Sequence, residues 1–242
     1  EVQTSQLADN DEVSFTGIQT YDDKNTGTDK TLTPSETIIN DGNDGNNYAI
    51  NYLAQNLGVI TQLGLTGNFE AGNKVYDGND AATVTGRSLE GVLAGDEGKV
   101  ELTGGTATFN TKNTGIGKVV TLAGMSLTGI EAFNYSLESM NTTMADITPK
   151  ALGITDPTLA DRHYDGTTNP GALTIGDLSG FVGAETVTVT GSAANYSGKD
   201  VGTYTVVITY TLYDGIEGGL ASNYSLSDGE ASGDVTQRPL TA

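Results

Sequence analysis

The 242-residue chain carries 31 acidic against 11 basic residues, a formal net charge of −20, and no cysteine. That balance argues against a phosphate-binding face, and so against a nucleic-acid partner, while the missing thiols exclude a disulfide framework and a thiolate metal site. No apolar run approaches the ~20 residues that span a bilayer, so membrane insertion is not expected.

Taken from the N-terminus, Leu7-Ala8-Asp9 comes first, followed by an aromatic-x-x-Lys-(Asn/Asp)-x-Gly element at Tyr21, Lys24, Asn25 and Gly27. An acidic turn, Asp41-Gly42-Asn43-Asp44, then precedes the pair Asn47-Tyr48, with Ile50 two places on, and the stretch closes on Ile60-Thr61. The next stretch opens on Lys74-Val75-Tyr76-Asp77-Gly78-Asn79-Asp80 and passes through an alternating Lys99–Thr103. It repeats the lysine element at Phe109, Lys112, Asn113 and Gly115, then Asn134-Tyr135 with Leu137, and closes on Ile147-Thr148. The third opens on Arg162-His163-Tyr164-Asp165-Gly166 and carries Tyr196, Lys199, Asp200 and Gly202. Asn223-Tyr224 with Leu226 follows, and Val235-Thr236 closes it.

Markers that keep their order at a spacing of about 87 or 88 residues are tandem copies of one folding unit. The spacing divides the chain into a truncated module at 1–65 and complete modules at 66–153 and 154–242, joined near Leu63-Gly64-Leu65 and Gly153-Ile154-Thr155. One period before Tyr76 falls ahead of residue 1, so the first module lacks its opening strand. Two explanations stand: the chain is a mature or excised piece cut without regard to the module boundary, or a strand from a neighbouring molecule fills the gap.

Within a module the pattern is that of strands. Glu185–Gly191 alternates Thr and Val, and Tyr204, Val206, Ile208, Tyr210 and Leu212 form one face opposed by threonines. Turn residues recur about every ten positions, the cadence of a β-sandwich. The expected fold is all-β: tandem small antiparallel β-sandwich-like or β-grasp-like modules arranged end to end. Only Ser88–Leu93 and the stretch around Leu178 suit a helical turn.

The repeated residues read as structural. Tyr76-Asp77-Gly78 and Tyr164-Asp165-Gly166 end a strand in a turn. There the tyrosine ring is buried, the aspartate accepts backbone N–H bonds, and glycine takes a positive φ. Tyr213-Asp214-Gly215 is out of phase, so the tripeptide has meaning only by its place in the repeat. The lysine element reads as a hairpin connection, with Lys24, Lys112 or Lys199 laying its methylenes over the preceding aromatic. The rival, a Lys–Asn isopeptide crosslink, would require a buried lysine. The Asn-Tyr pairs tie a turn and plug the core; a tyrosine-lined glycan groove is the alternative.

No enzyme constellation emerges. His163 is the only histidine and supplies neither a metal set nor a triad, and the chain has no phosphate-binding loop or dinucleotide fingerprint. No cofactor is expected. Weak calcium candidates are Asp41, Asp44, Asp77, Asp80, Asp214 and Glu217, although none has the spacing of a twelve-residue calcium loop.

Lys74–Asp80, the Lys112–Gly115 element, Asn134-Tyr135 and the closing Ile147-Thr148-Pro149-Lys150-Ala151-Leu152 resemble the YDG repeat of large bacterial surface proteins of the filamentous-haemagglutinin-like kind. The third copy departs from it in Gln237-Arg238-Pro239-Leu240 and in Asp200 for asparagine. The resemblance implies a secreted or cell-surface location and a non-catalytic stalk of an adhesin or extracellular filament, of the sort found in a biofilm matrix. The expected partners are neighbouring modules of the same or another chain, with a glycan or surface-protein ligand as a further possibility. Two other roles stand beside it: a filament subunit completed by a neighbour's strand, and a carbohydrate- or calcium-binding module.

Overall fold

Period-two alternation decides which side of each strand is buried, and the computed structural model, which describes residues 4–241, follows it closely. Along the strand Gly202–Asp214, Val206 and Ile208 are buried while Thr205, Val207 and Thr209 face solvent. Almost every element is a strand, gathered in several small sheets whose pairing is mainly antiparallel, so the all-β reading holds. Glu1 and Ala242, the outer limits of the first and third copies, lie outside the described residues.

Backbone contacts group the chain into two units, one of residues 1–67, 88–103 and 126–140, the other of 68–87, 104–125 and 141–242. In the first unit, Ile18–Tyr21, Gly27–Ser35 and Gln55–Ile60 form an antiparallel sheet, and Glu12–Phe15 pairs with Ile38–Asn40. Tyr135–Met140 runs parallel to Leu63–Ala71 in the register Tyr135↔Leu63 to Met140↔Gly67. Its core is Leu65, Val100 and Tyr135, with Leu89, Val92, Leu127 and Ala132 packed around them.

In the second unit, Arg162–His163, Gly229–Thr236, Gly202–Asp214 and Val187–Ala193 form one sheet in that order. Another sheet sets Lys74–Val75 beside Thr143–Thr148, which is antiparallel to Gly115–Thr128. In both sheets the opening strand lies parallel to the closing one, Lys74↔Ile147 and Arg162↔Val235. The antiparallel expectation missed this, because nothing local distinguishes the two directions for a two-residue strand. In the first copy the corresponding closing strand, Gln55–Ile60, pairs only with Gly27–Ser35 among the described residues, and Leu57 and Val59 on it are exposed. The core around Leu159, Tyr196, Val206, Ile208, Ala231 and Val235 closes under the third copy's sheet.

Helical turns fall elsewhere than the sequence suggests. Ser88 to Glu90 belongs to the strand Val84–Glu90, because Leu89 points into the core around Leu65. Leu178 lies in the short strand Leu178–Ser179. Three-residue 3₁₀ turns occupy Thr4–Gln6, Ala132–Asn134 and Ala221–Asn223, the latter two just ahead of Tyr135 and Tyr224.

Ile208 has no solvent exposure within its cluster. Ile208→Ala should therefore lower the stability of the second unit by about 2–5 kcal/mol through lost burial and the cavity left behind, read as a shifted urea midpoint with an unchanged slope.

Candidate functional site

Three tight turns present a carboxylate at the same place in each copy. The Asp11 N–H bonds Ala8 O at 3.1 Å, the Asp96 N–H bonds Leu93 O at 3.0 Å, and the Glu185 N–H bonds Val182 O at 3.1 Å. At each turn the first residue's N–H donates to a tyrosine hydroxyl that itself donates to the acid. Ala8 and Asp11 hold Tyr48, Leu93 and Asp96 hold Tyr135, and Val182 and Glu185 hold Tyr224. These tyrosines are the second member of each Asn-Tyr pair. The 3₁₀ turn ahead of Tyr135 and Tyr224 places the asparagine beside its tyrosine.

The lysine elements of the preceding copies come to two of these turns. In the first unit, Lys24 Nζ reaches Asp96 Oδ1 at 2.9 Å and Glu131 Oε2 at 3.3 Å. The Thr26 N–H donates to Asn134 Oδ1 at 2.8 Å, Thr26 Oγ1 to Phe133 O at 3.1 Å, and Asn134 Nδ2 to Asn25 Oδ1 at 3.1 Å. The second unit repeats the set. Lys112 Nζ reaches Glu185 Oε1 at 3.1 Å, the Thr114 N–H donates to Asn223 Oδ1 at 3.0 Å, Thr114 Oγ1 to Ser222 O at 2.8 Å, and Asn223 Nδ2 to Asn113 Oδ1 at 3.1 Å. Tyr76 adds its hydroxyl to Glu185 at 2.7 Å and packs edge-on against Tyr224, centroids 5.6 Å apart.

Burial and charge tune these groups. Burial, then the bond to Glu185 and that group's negative charge, push the Tyr76 hydroxyl up to about 12. Burial also raises Tyr135 and Tyr224, each helped by its carboxylate. Burial opposes ionisation of Glu185, but bonds from Tyr224, Tyr76 and Lys112 outweigh it and hold the acid below the ordinary range. The Lys24 ammonium, then the Tyr135 hydroxyl, lower Asp96. Lys24 is 61 % exposed and Lys112 44 %. The pairs are therefore solvated ion pairs rather than the buried amine–amide contact that an isopeptide bond requires, and the fixed hydroxyl and backbone bonds carry more of the energy.

The Tyr-Asp-Gly elements lie at the opening strands. Asp77 Oδ1 accepts from the Asn79 N–H and from Lys74, and Asp165 Oδ1 from the Thr167 N–H and Arg162. Gly78 and Gly166 take φ of 83° and 82°. The cation over the buried aromatic of the hairpin is Lys74 above Phe109 and Arg162 above Tyr196, each from the opening strand rather than from the lysine element. Tyr21, the aromatic of the first lysine element, is exposed.

The calcium candidates do not converge. Asp41 Oδ1 accepts the Asn43 and Gly45 N–H groups and its Oδ2 accepts that of Asn47. Asp214 accepts the Ala221 N–H, and Asp44 and Glu217 sit at positive φ in turns. Asp80 contributes its backbone oxygen to the Phe109 N–H. Among the described residues no group of three or more His, Cys, Asp or Glu is arranged to hold a metal ion.

Asp11, Asp96 and Glu185 went unnoticed in the sequence. An apolar-x-x-acid pattern at Ala8/Asp11, Leu93/Asp96 and Val182/Glu185 marks them, but Asp alternates with Glu and the chain holds 31 acids. Thr26 and Thr114 escaped as the unspecified position of their element.

Glu185→Leu strands the Tyr76 and Tyr224 hydroxyls and Lys112, and should destabilise the second unit by about 3 kcal/mol in urea titrations. Tyr76 keeps its proton to about pH 12 when folded, whereas the unfolded chain releases it near 10.0. Stability should accordingly fall by up to about 1.4 kcal/mol per pH unit from this group above pH 10, a contribution that Tyr76→Phe removes. Glu185 acts oppositely: its stabilisation is present above the ordinary value of 4.5 and is lost as pH falls through its lowered folded value. Because the candidate acids do not converge among the described residues, adding calcium or a chelator should leave the thermal midpoint unchanged.

No curated protein and no solved structure matches the chain. The YDG domain matches over three stretches, residues 1–56, 62–143 and 148–232, and the chain belongs to that family.

Proposed function

We propose that the chain is a non-catalytic repeat region of a secreted bacterial adhesin or extracellular filament protein, in which tandem β modules at 1–65, 66–153 and 154–242 serve as a stalk. The observation that carries this reading is the reuse of one junction. The lysine, asparagine and threonine of one copy meet the carboxylate and asparagine of the next with the same bonds at Lys24–Asp96 and at Lys112–Glu185. A contact built twice from corresponding residues serves the joining of copies, because a ligand site has no need of the preceding copy's lysine. Tyr135 and Tyr224, which a glycan groove would expose, are buried against their carboxylates. The net charge of −20 suits an exported chain that must remain soluble.

Small-angle scattering at low protein concentration tests the stalk. A chain of this length folded into one compact body has a radius of gyration of about 18 Å. The stalk reading expects a clearly larger value with a rod-like distance distribution, and a value near 18 Å overturns it.

A further inference from the structure

The strand Val187–Ala193 is an edge of the four-stranded sheet and pairs with Gly202–Asp214 alone among the described residues. The Ala194 N–H bonds Val207 O at 3.0 Å, and the register runs without a shift from Val187↔Asp214 to Ala193↔Ile208. Backbone groups alternate in direction along a strand, so those of Thr188, Thr190 and Ser192 face Gly202–Asp214. Those of Val187, Val189, Gly191 and Ala193 face outward, where no backbone group of the described residues bonds them. Leu173 and Ile175 pack beneath Gly191 on the core side.

This openness is a property of the copy itself. In the preceding copy the same side of Glu101–Phe109 pairs with Ala81–Ala82 of its own copy and takes no strand from the copy after it among the described residues. The third copy has Asn169-Pro170 at the positions of Ala81-Ala82, and Pro170 has no N–H to donate. Long edges are ordinarily blunted by charge, proline, bends or bulges. Val84–Glu90, an edge of the same length, carries Arg87 and Glu90, and Glu101–Phe109 bends at Gly104 and Gly105, with φ of 71° and 85°. From Thr186 to Ala194 there is no charged side chain, no proline and no positive φ, in a chain that holds 31 acids.

We propose that this edge pairs with the same edge of a second copy of the chain, antiparallel about a two-fold axis at Thr190. The strand is self-complementary in that register. Val189 exchanges N–H···O bonds with the second copy's Gly191, and Val187 with its Ala193, so every outward group of the strand finds a partner. On the solvent face Thr190 meets its own symmetry mate and Thr188 meets Ser192, hydroxyl pairs that favour cross-strand contact. Like surfaces meet, so the contact closes as a dimer. The charge of −20 on each molecule opposes the encounter, but physiological salt limits that repulsion to about 8 Å and the strand adds no charge of its own. The pairing goes beyond the stalk reading and does not rest on it: scattering from dilute chains can fail while pairing succeeds, and the reverse.

Because the chain has no cysteine, disulfide trapping reads the register directly. Thr190 and its mate would have Cα atoms about 4.5 Å apart, within disulfide reach. Thr211, which lies opposite Thr190 one strand further in, would stand about 14 Å from its own mate. Thr190→Cys should therefore cross-link under mild oxidation at least about tenfold faster than Thr211→Cys. Adding Thr188→Lys and Ser192→Lys to Thr190→Cys sets lysine opposite lysine and should slow trapping about tenfold, although it lowers the net charge. Adding Thr188→Lys and Ser192→Glu instead sets lysine opposite glutamate and should restore the rate. All these side chains are exposed, and unchanged circular dichroism and melting verify folding. Thr190→Cys trapping no faster than Thr211→Cys overturns the proposal and leaves the edge to a strand of another protein. Equal rates in the lysine–lysine and lysine–glutamate variants overturn it too.

Discussion

Each junction turns on one carboxylate that must satisfy several donors at once. Asp96 receives Lys24 and Tyr135, and Glu185 receives Lys112, Tyr76 and Tyr224. A tyrosine hydroxyl buried without an acceptor would cost on the order of 1–3 kcal/mol, so the acid, its turn and the Asn-Tyr pair have to arrive together. The parallel pairings that follow, Tyr135 on Leu63 and Tyr224 on Lys150, begin at the same tyrosines. The acid thereby ties the start of a strand to the segment that leaves the previous copy.

The two junctions differ in a way that separates the common requirement from its elaborations. The first has a second acid, Glu131, on the lysine, and the second has Leu220 at the corresponding position. The carboxylate of the second also receives Tyr76. Both retain the lysine, the threonine N–H and the asparagine pair. Those bonds have fixed geometry and depend little on salt, whereas the half-exposed lysines contribute modestly to stability and more to selecting the partner surface.

Much of this was legible in advance. The period of about 87 or 88 residues, the strand alternation at Tyr204–Leu212 and the turn chemistry of Asp77 and Asp165 are local, and period-two patterning and Asx bonding express them directly. The lysine element was visible as a motif, but the target of its lysine was not. The aromatic six residues upstream of the glycine was the natural local partner for that cation, yet Lys74 and Arg162 hold that place from far away in sequence. Once the aromatic is covered from the opening strand, the lysine of the loop is left to point outward.

The sequence by itself determined that the chain is a β protein made of recurring copies, because periodicity and turn residues act over a few positions and survive substitution. Only the tertiary structure decided what the recurring polar residues are for. Lys24 and Asp96 lie 72 positions apart and Lys112 and Glu185 lie 73, so neither spacing marks a motif, and among 31 acids no composition singles out the right one. Folding brings those residues together because the segment leaving one copy pairs in parallel with the strand that starts at the next copy's tyrosine, Leu63 with Tyr135 and Lys150 with Tyr224, which sets each lysine bend against the next copy's acid turn.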